Sequence, residues 1–261
     1  MDRQYASRES FATDGSSPSE NMKRTAQPAS NLDLSHSYCS CMSLREPPSL
    51  TRPRPLELVV FDVDGTLTAV TSVWQYLHER LGTWTYGRLT SSRYWRGEIT
   101  YDEWAKLDAM MWRGRKLCEI AEIIERISYF EGVEETFSVL KEKGAKIAVV
   151  SAGLSLLVNR IVEELGADFG VANELVVEDG RLTGNVSINV SLSNKCQVIR
   201  EVARNLGVNI RLCAVVGDYC YDIPNDAGLR VAFNPKDNTA ERLADVIVRS
   251  NSLTDILKHL V

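Results

Sequence analysis

The chain has 261 residues, 44% of them hydrophobic and 25% charged, with a net charge of -5, which leaves room for one or two globular domains. An acidic balance without any run of Lys or Arg lacks the electrostatic footprint of a nucleic-acid binder, so no nucleic-acid partner is expected. No apolar run is long enough to cross a bilayer and the N-terminal stretch does not resemble a signal peptide, so the expectations are no membrane partner and a cytoplasmic location.

Residues 1–55 hold six of the eight prolines and eleven serines, with little periodic apolar pattern. Such a segment buries too little apolar surface to offset its ordering entropy, and it reads as a disordered N-terminal extension. Its Cys39 and Cys41 lack the second cysteine pair that a four-ligand zinc site needs, and the other cysteines, 118, 196, 213 and 220, are scattered rather than framed as a disulfide scaffold.

Leu56 to Phe61 is an apolar, β-branched run that stops abruptly at Asp62-Val63-Asp64-Gly65-Thr66. It reads as a strand buried on both faces of a parallel sheet, with Asp62 and Asp64 at its carboxyl end, two residues apart and so on one side of an extended chain. Residues 72–130 change to a helical pattern. Leu77, Leu81 and Trp84 share one face; Thr100 and Glu103 form a capping box before a second helix carrying Trp104, Leu107, Ala109 and Met111; Leu117 to Ile127 is a third. All five tryptophans (74, 84, 95, 104 and 112) fall in this segment, as packing for a small helical unit and as candidates for a pocket wall.

From Gly132 helices and strands alternate. Helix Val133 to Lys143 precedes a strand over Lys146 to Val150 and a helix over Leu154 to Leu165. A short strand near Phe169 to Ala172 follows, then a β-hairpin from Glu174 to Val190 turning at Asp179-Gly180. A helix over 194–206, a strand Arg211 to Val216, two short strands at Arg230 to Phe233 and Asp245 to Val248, and a helix Leu253 to Leu260 close the chain. The pattern specifies an α/β fold with a doubly wound parallel sheet: core 56–71 and 131–261, with a small helical cap, 72–130, inserted after the first strand.

Three strands end in chemically useful groups: Asp62 and Asp64, Ser151-Ala152-Gly153, and Gly217-Asp218 with Asp222 four residues beyond Asp218. Lys195 opens the helix before the last of these. Carboxyl ends of parallel strands share one edge, so these groups are expected to meet. Four acids, Asp62, Asp64, Asp218 and Asp222, cannot crowd one low-dielectric site without a cation, and an oxygen-only donor set suits Mg²⁺. Ser151 offers a hydroxyl, Gly153 uncrowded backbone at a helix start, and Lys195 a positive charge. Together they describe a phosphoryl site with a carboxylate nucleophile.

At these residues the chain resembles the haloacid dehalogenase superfamily of phosphatases, and within it the phosphoserine phosphatase-like subgroup, over residues 56–261. The resemblance implies a Mg²⁺-dependent hydrolase of a small phosphate ester. Asp62 would be the nucleophile that forms an aspartyl-phosphate, and Asp64 the acid and then the base. It assigns Thr66, Ser151, Ala152, Gly153 and Lys195 to the phosphoryl group. Asp62, Asp218, Asp222 and the backbone carbonyl of Asp64 go to the metal. Phosphoserine phosphatase activity proper, transfer to an acceptor other than water (a phosphotransferase or mutase), and an inactive relative kept for binding or regulation are the alternatives. Two departures stand out. Phosphoserine phosphatases carry a Glu seven residues after the second Asp of the first motif to hold the substrate ammonium, where this chain has Thr71. The fourth motif, which usually has Gly after its first Asp and Asn before its second, reads Asp218-Tyr219-Cys220-Tyr221-Asp222.

Overall fold

The computed structural model describes residues 56–261, and the expected N-terminal extension, with Cys39 and Cys41, lies outside them. The architecture grows from β1 (Leu58–Phe61), whose four side chains are all buried. Val59 and Phe61 enter one hydrophobic core, Leu58 and Val60 a second, as the two-residue period of a pleated strand requires when both faces of a sheet are covered. The chain continues through α1 (Val73–Arg80), α2 (Trp84–Trp95), α3 (Tyr101–Met110), α4 (Leu117–Glu125), α5 (Val133–Glu142), β2 (Lys146–Leu154), α6 (Ser155–Leu165), β3 (Phe169–Glu178), β4 (Arg181–Ser187), α7 (Lys195–Asn205), β5 (Cys213–Gly217), β6 (Leu229–Phe233), α8 (Asn238–Leu243), β7 (Val246–Val248) and α9 (Leu257–Leu260).

Among the described residues seven strands form one sheet in the order β4-β3-β2-β1-β5-β6-β7, and every neighbouring pair is parallel except β3 with β4. The chain moves from β1 to one side and then returns to β5 on the other. That reversal opens a crevice at the carboxyl end of β1, where open α/β sheets bind ligands. Register makes the crevice specific. Phe61 pairs with Val149 of β2 and with Val216 of β5, so Asp62, Ser151 and Asp218 leave three adjacent strands at nearly the same level.

One core is continuous from the sheet into the helical insertion: Phe61 stacks on Phe137 of α5 with ring centroids 5.3 Å apart, and the same cluster includes Leu77, Trp112 and Ile120. Within the insertion Trp112 is fully buried between Trp74 (5.6 Å) and His78 (4.8 Å), while Tyr94 stacks on Trp104 at 4.7 Å. Polar ties accompany these rings. His78 lies 3.2 Å from Asp108, and the Thr90 hydroxyl donates to the same carboxylate at 2.6 Å. The Thr100–Glu103 capping box opens α3 as its sequence requires.

Some details differ from the sequence reading, among them the helix α8, which it did not foresee. The spacing that puts Leu77, Leu81 and Trp84 on one helix spans two, because Leu81 caps α1 and Gly82 turns the chain with φ +72° before α2 begins at Trp84; the insertion therefore has four helices. The short strand and the first arm of the hairpin are one strand, β3, which pairs parallel to β2 along its first half and antiparallel to β4 along its second. The hairpin also holds the insertion directly. Gly114 and Leu117 amides donate to the Leu182 and Gly180 carbonyls, and the Leu182 amide donates to Arg115.

Candidate active site

The loop after β1 is shaped by its backbone. The amides of Thr66, Leu67 and Thr68 all point to the Val63 carbonyl, and Gly65 adopts φ +85°, a conformation that disfavours a side chain. Space forbids one as well: a Cβ on Gly65 would stand 2.2 Å from Asp218 Oδ2. The tight turn thus lets the acid of β5 pack beside the acids of β1.

Asp62 is buried and its Oδ1 accepts from Lys195 Nζ, which also pairs with Asp222 Oδ1 at 2.6 Å. Lys195 is held at the first position of α7 by a reciprocal turn: the Ser191 amide donates to Asn194 Oδ1 (2.7 Å) and the Asn194 amide to Ser191 Oγ (3.2 Å). Burial alone would depress the lysine, but Asp222 and Asp62 together hold its pKa above the ordinary value, so it is a fixed cation. Asp222 Oδ2 accepts from the amides of Asp218 (3.2 Å) and Tyr219 (2.9 Å), which ties the loop after β5 to the lysine.

Asp64 has a different environment. Its Oδ2 accepts from the Val73 amide at the start of α1 (2.9 Å), while Oδ1 is buried without a partner. Desolvation, only partly countered by that amide and reinforced by the nearby Asp62 charge, raises its pKa to about 7. A carboxyl group that retains a proton near neutrality suits a general acid.

Oxygens of Asp62, Asp218 and Asp222 lie within 4.8 Å of one another, all three residues being buried. Desolvation and the neighbouring Asp62 and Asp222 charges push Asp218 well above the usual carboxylate range. Oxygen donors at this density fit a hard divalent ion. The Asp64 carboxylate is outside that cluster: its Oδ2 accepts from the Val73 amide and its Oδ1 is buried without a partner.

A cavity of about 140 Å³ opens beside these groups, lined by Asp62, Asp64, Ser151, Ala152, Gly153, Lys195 and Asp218 among the residues singled out in the sequence. Thr66 does not reach it. The turn buries its side chain completely, with Oγ1 unpartnered beneath the loop, so its assignment to the phosphoryl group is not supported by its position. Ser151-Ala152-Gly153 lies within the irregular last turn of β2, since α6 starts only at Ser155, and the Gly153 amide donates to Ser151 Oγ at 2.9 Å instead of pointing free at a helix end.

Two positioning groups escaped the sequence reading. The Ala152 carbonyl accepts from Trp74 Nε1 (3.2 Å), from the Tyr101 hydroxyl and from Asn173 Nδ2 (2.9 Å), joining insertion and sheet at the cavity edge. Asn173, fully buried in β3, also donates to the Val190 carbonyl and accepts from the Asn189 and Val190 amides, each at 2.9 Å. Its signal was an amide side chain within an apolar strand, where Asn is disfavoured.

Comparison with known proteins agrees with this geometry. A model of the haloacid dehalogenase-like hydrolases matches residues 59–225. A phosphoserine phosphatase of Methanocaldococcus jannaschii is 32% identical over 207 residues, covering 78% of this chain and 97% of that protein. One from Archaeoglobus fulgidus is 34% identical over 216 residues, covering 82% of this chain and 62% of that protein. A solved structure of a phospho-aspartyl intermediate analogue of phosphoserine phosphatase superposes with a TM-score of 0.69 at 29% identity, covering 80% of this chain and 100% of that one.

Proposed function

The chain belongs to the haloacid dehalogenase-like hydrolase family and is an enzyme of the phosphatase type, and from that premise we propose that it hydrolyses a small phosphate monoester through a phosphoryl group carried on Asp62. The observation that carries this reading is that two acids in different surroundings, one on a lysine and one desolvated, line one cavity. Asp62 Oδ1 accepts from Lys195, which leaves Oδ2 to attack, while Asp64 sits where burial favours its protonated form.

In the first step Asp62 Oδ2 bonds to phosphorus, the bond from phosphorus to the ester oxygen breaks, and the Asp64 proton passes to that oxygen as the alcohol leaves. In the second, Asp64, now a carboxylate, takes a proton from water. The water oxygen bonds to phosphorus and the bond to Asp62 breaks, releasing inorganic phosphate and restoring both acids. Lys195 and Ser151, both buried at the cavity wall, hold the oxygens of the transferred group. Asp62 and Asp218, with Asp222 behind them, would hold Mg²⁺, whose charge screens the carboxylates and polarises the phosphoryl oxygens. Residues 56–71 and 131–261 form the catalytic core in this reading, and 72–130 a cap that limits water at the reacting atoms.

The reading is tested by phosphate release from p-nitrophenyl phosphate. Turnover should require Mg²⁺, stop on chelation and fall by at least about 10³-fold in Asp62→Asn. Full activity in that variant would refute it.

A further inference from the structure

Beyond the phosphoryl cluster the cavity wall is aromatic: Trp74, Trp95, Tyr101, Trp104, Tyr219 and Tyr221 line it. Several of these rings are braced by others. Tyr219 and Tyr221 stack on each other at 5.1 Å with planes 10° apart, and Trp104 lies on Tyr94 at 4.7 Å, so flat faces are presented without a loss of side-chain freedom on binding. Charge is confined to the acids and the lysine that handle phosphorus. The remaining wall, Thr71, Ser72 and Leu192 included, is neutral.

Arginines of the helical insertion do not change this. Arg93 and Arg96 pair with Glu98 at 3.6 and 2.6 Å, Arg115 pairs with Glu119 at 2.6 Å, and none of the three lines the cavity. Where the alcohol half of a substrate faces this neutral part of the wall, an ammonium or carboxylate on it would shed water without meeting an opposite charge, which is costly. An uncharged group incurs no such cost.

We propose that the substrate is a phosphate monoester of an uncharged alcohol bearing a single planar or apolar ring, which packs against Trp95 and Trp104. This rests on the phosphomonoesterase reading above and specifies its leaving group. Its test is a comparison of benzyl phosphate, O-phospho-L-serine and p-nitrophenyl phosphate on the full chain with saturating Mg²⁺. The kcat/KM for benzyl phosphate should exceed that for phosphoserine by at least about 10-fold, and Trp95→Leu should raise KM for benzyl phosphate by about 10-fold, narrowing the ratio.

Equal or greater efficiency on phosphoserine overturns the proposal, whether or not the Trp95 variant folds. If p-nitrophenyl phosphate is turned over in an Asp62-dependent way while phosphoserine is preferred to benzyl phosphate, this proposal alone fails. If none of the three esters is hydrolysed, the phosphomonoesterase reading fails with it.

Discussion

Asp64, Asp218 and Asp222 are carboxyl groups whose pKa values burial raises above those of an unfolded chain, Asp64 to about 7 and the other two also upward. For such groups the folded state favours the proton, so their favourable contribution is complete below the unfolded value near 4 and is lost as pH rises through the folded values. Metal-free protein should therefore melt at progressively lower temperature as pH is raised from about 5 to about 9. Added Mg²⁺ should restore the melting temperature, most strongly at the alkaline end, because it binds the ionised acids of the folded state alone. Scanning calorimetry with and without Mg²⁺ checks both, and Asp218→Asn should flatten the pH trend and remove most of the Mg²⁺ effect. The sequence made these acids visible by spacing alone. Spacing could not separate the Asp64 carboxylate from the other three acids, a distinction only the family resemblance drew, because it depends on where the Val73 amide stands, a matter of how α1 meets the loop.

Element by element, β1, β5 and α7 were readable because a buried strand of a parallel sheet is an unbroken apolar run and its end is marked by the first acid. Failures came where two periods run into each other. Leu77, Leu81 and Trp84 keep a helical spacing across a break made by Gly82, and β3 continues through Asn173 and Glu174, a polar pair that reads as a strand end. Asn173 explains why β3 continues: its side chain satisfies backbone groups of Ala152, Asn189 and Val190 that the bend in β2 and the end of the hairpin leave open. Replacing it with Ala strands those buried groups, and Asn173→Ala should cost about 2–4 kcal/mol in urea unfolding. It should also reduce kcat, since the Ala152 carbonyl it holds is one residue from Ser151. A loss below about 0.5 kcal/mol would mean that water or a shift of the loop replaces these bonds.

For the whole molecule, the register of β1 with β2 and β5 converts three separate sequence motifs into one site, and the helical insertion, sharing a core with the sheet, completes the cavity with aromatic walls. The fold class and the meeting of Asp62, Asp64, Ser151, Lys195 and Asp218 at one cavity were legible because both follow from strand ends. The aromatic cavity wall was legible only in part: the tryptophans were candidates for it, but that Trp74, Trp95 and Trp104 meet Tyr219 and Tyr221 there depends on the packing of separate elements that no spacing rule reveals. The central claim is that phosphorus passes through Asp62. Single-turnover reaction with a substrate labelled in its phosphoryl group, quenched in acid and mapped by peptide mass spectrometry, measures this directly. The account predicts label on the peptide containing Asp62, more of it in Asp64→Asn, where the water step loses its base, and none in Asp62→Asn. Release of phosphate in the first turnover with no labelled peptide, or label on a residue other than Asp62, would contradict it.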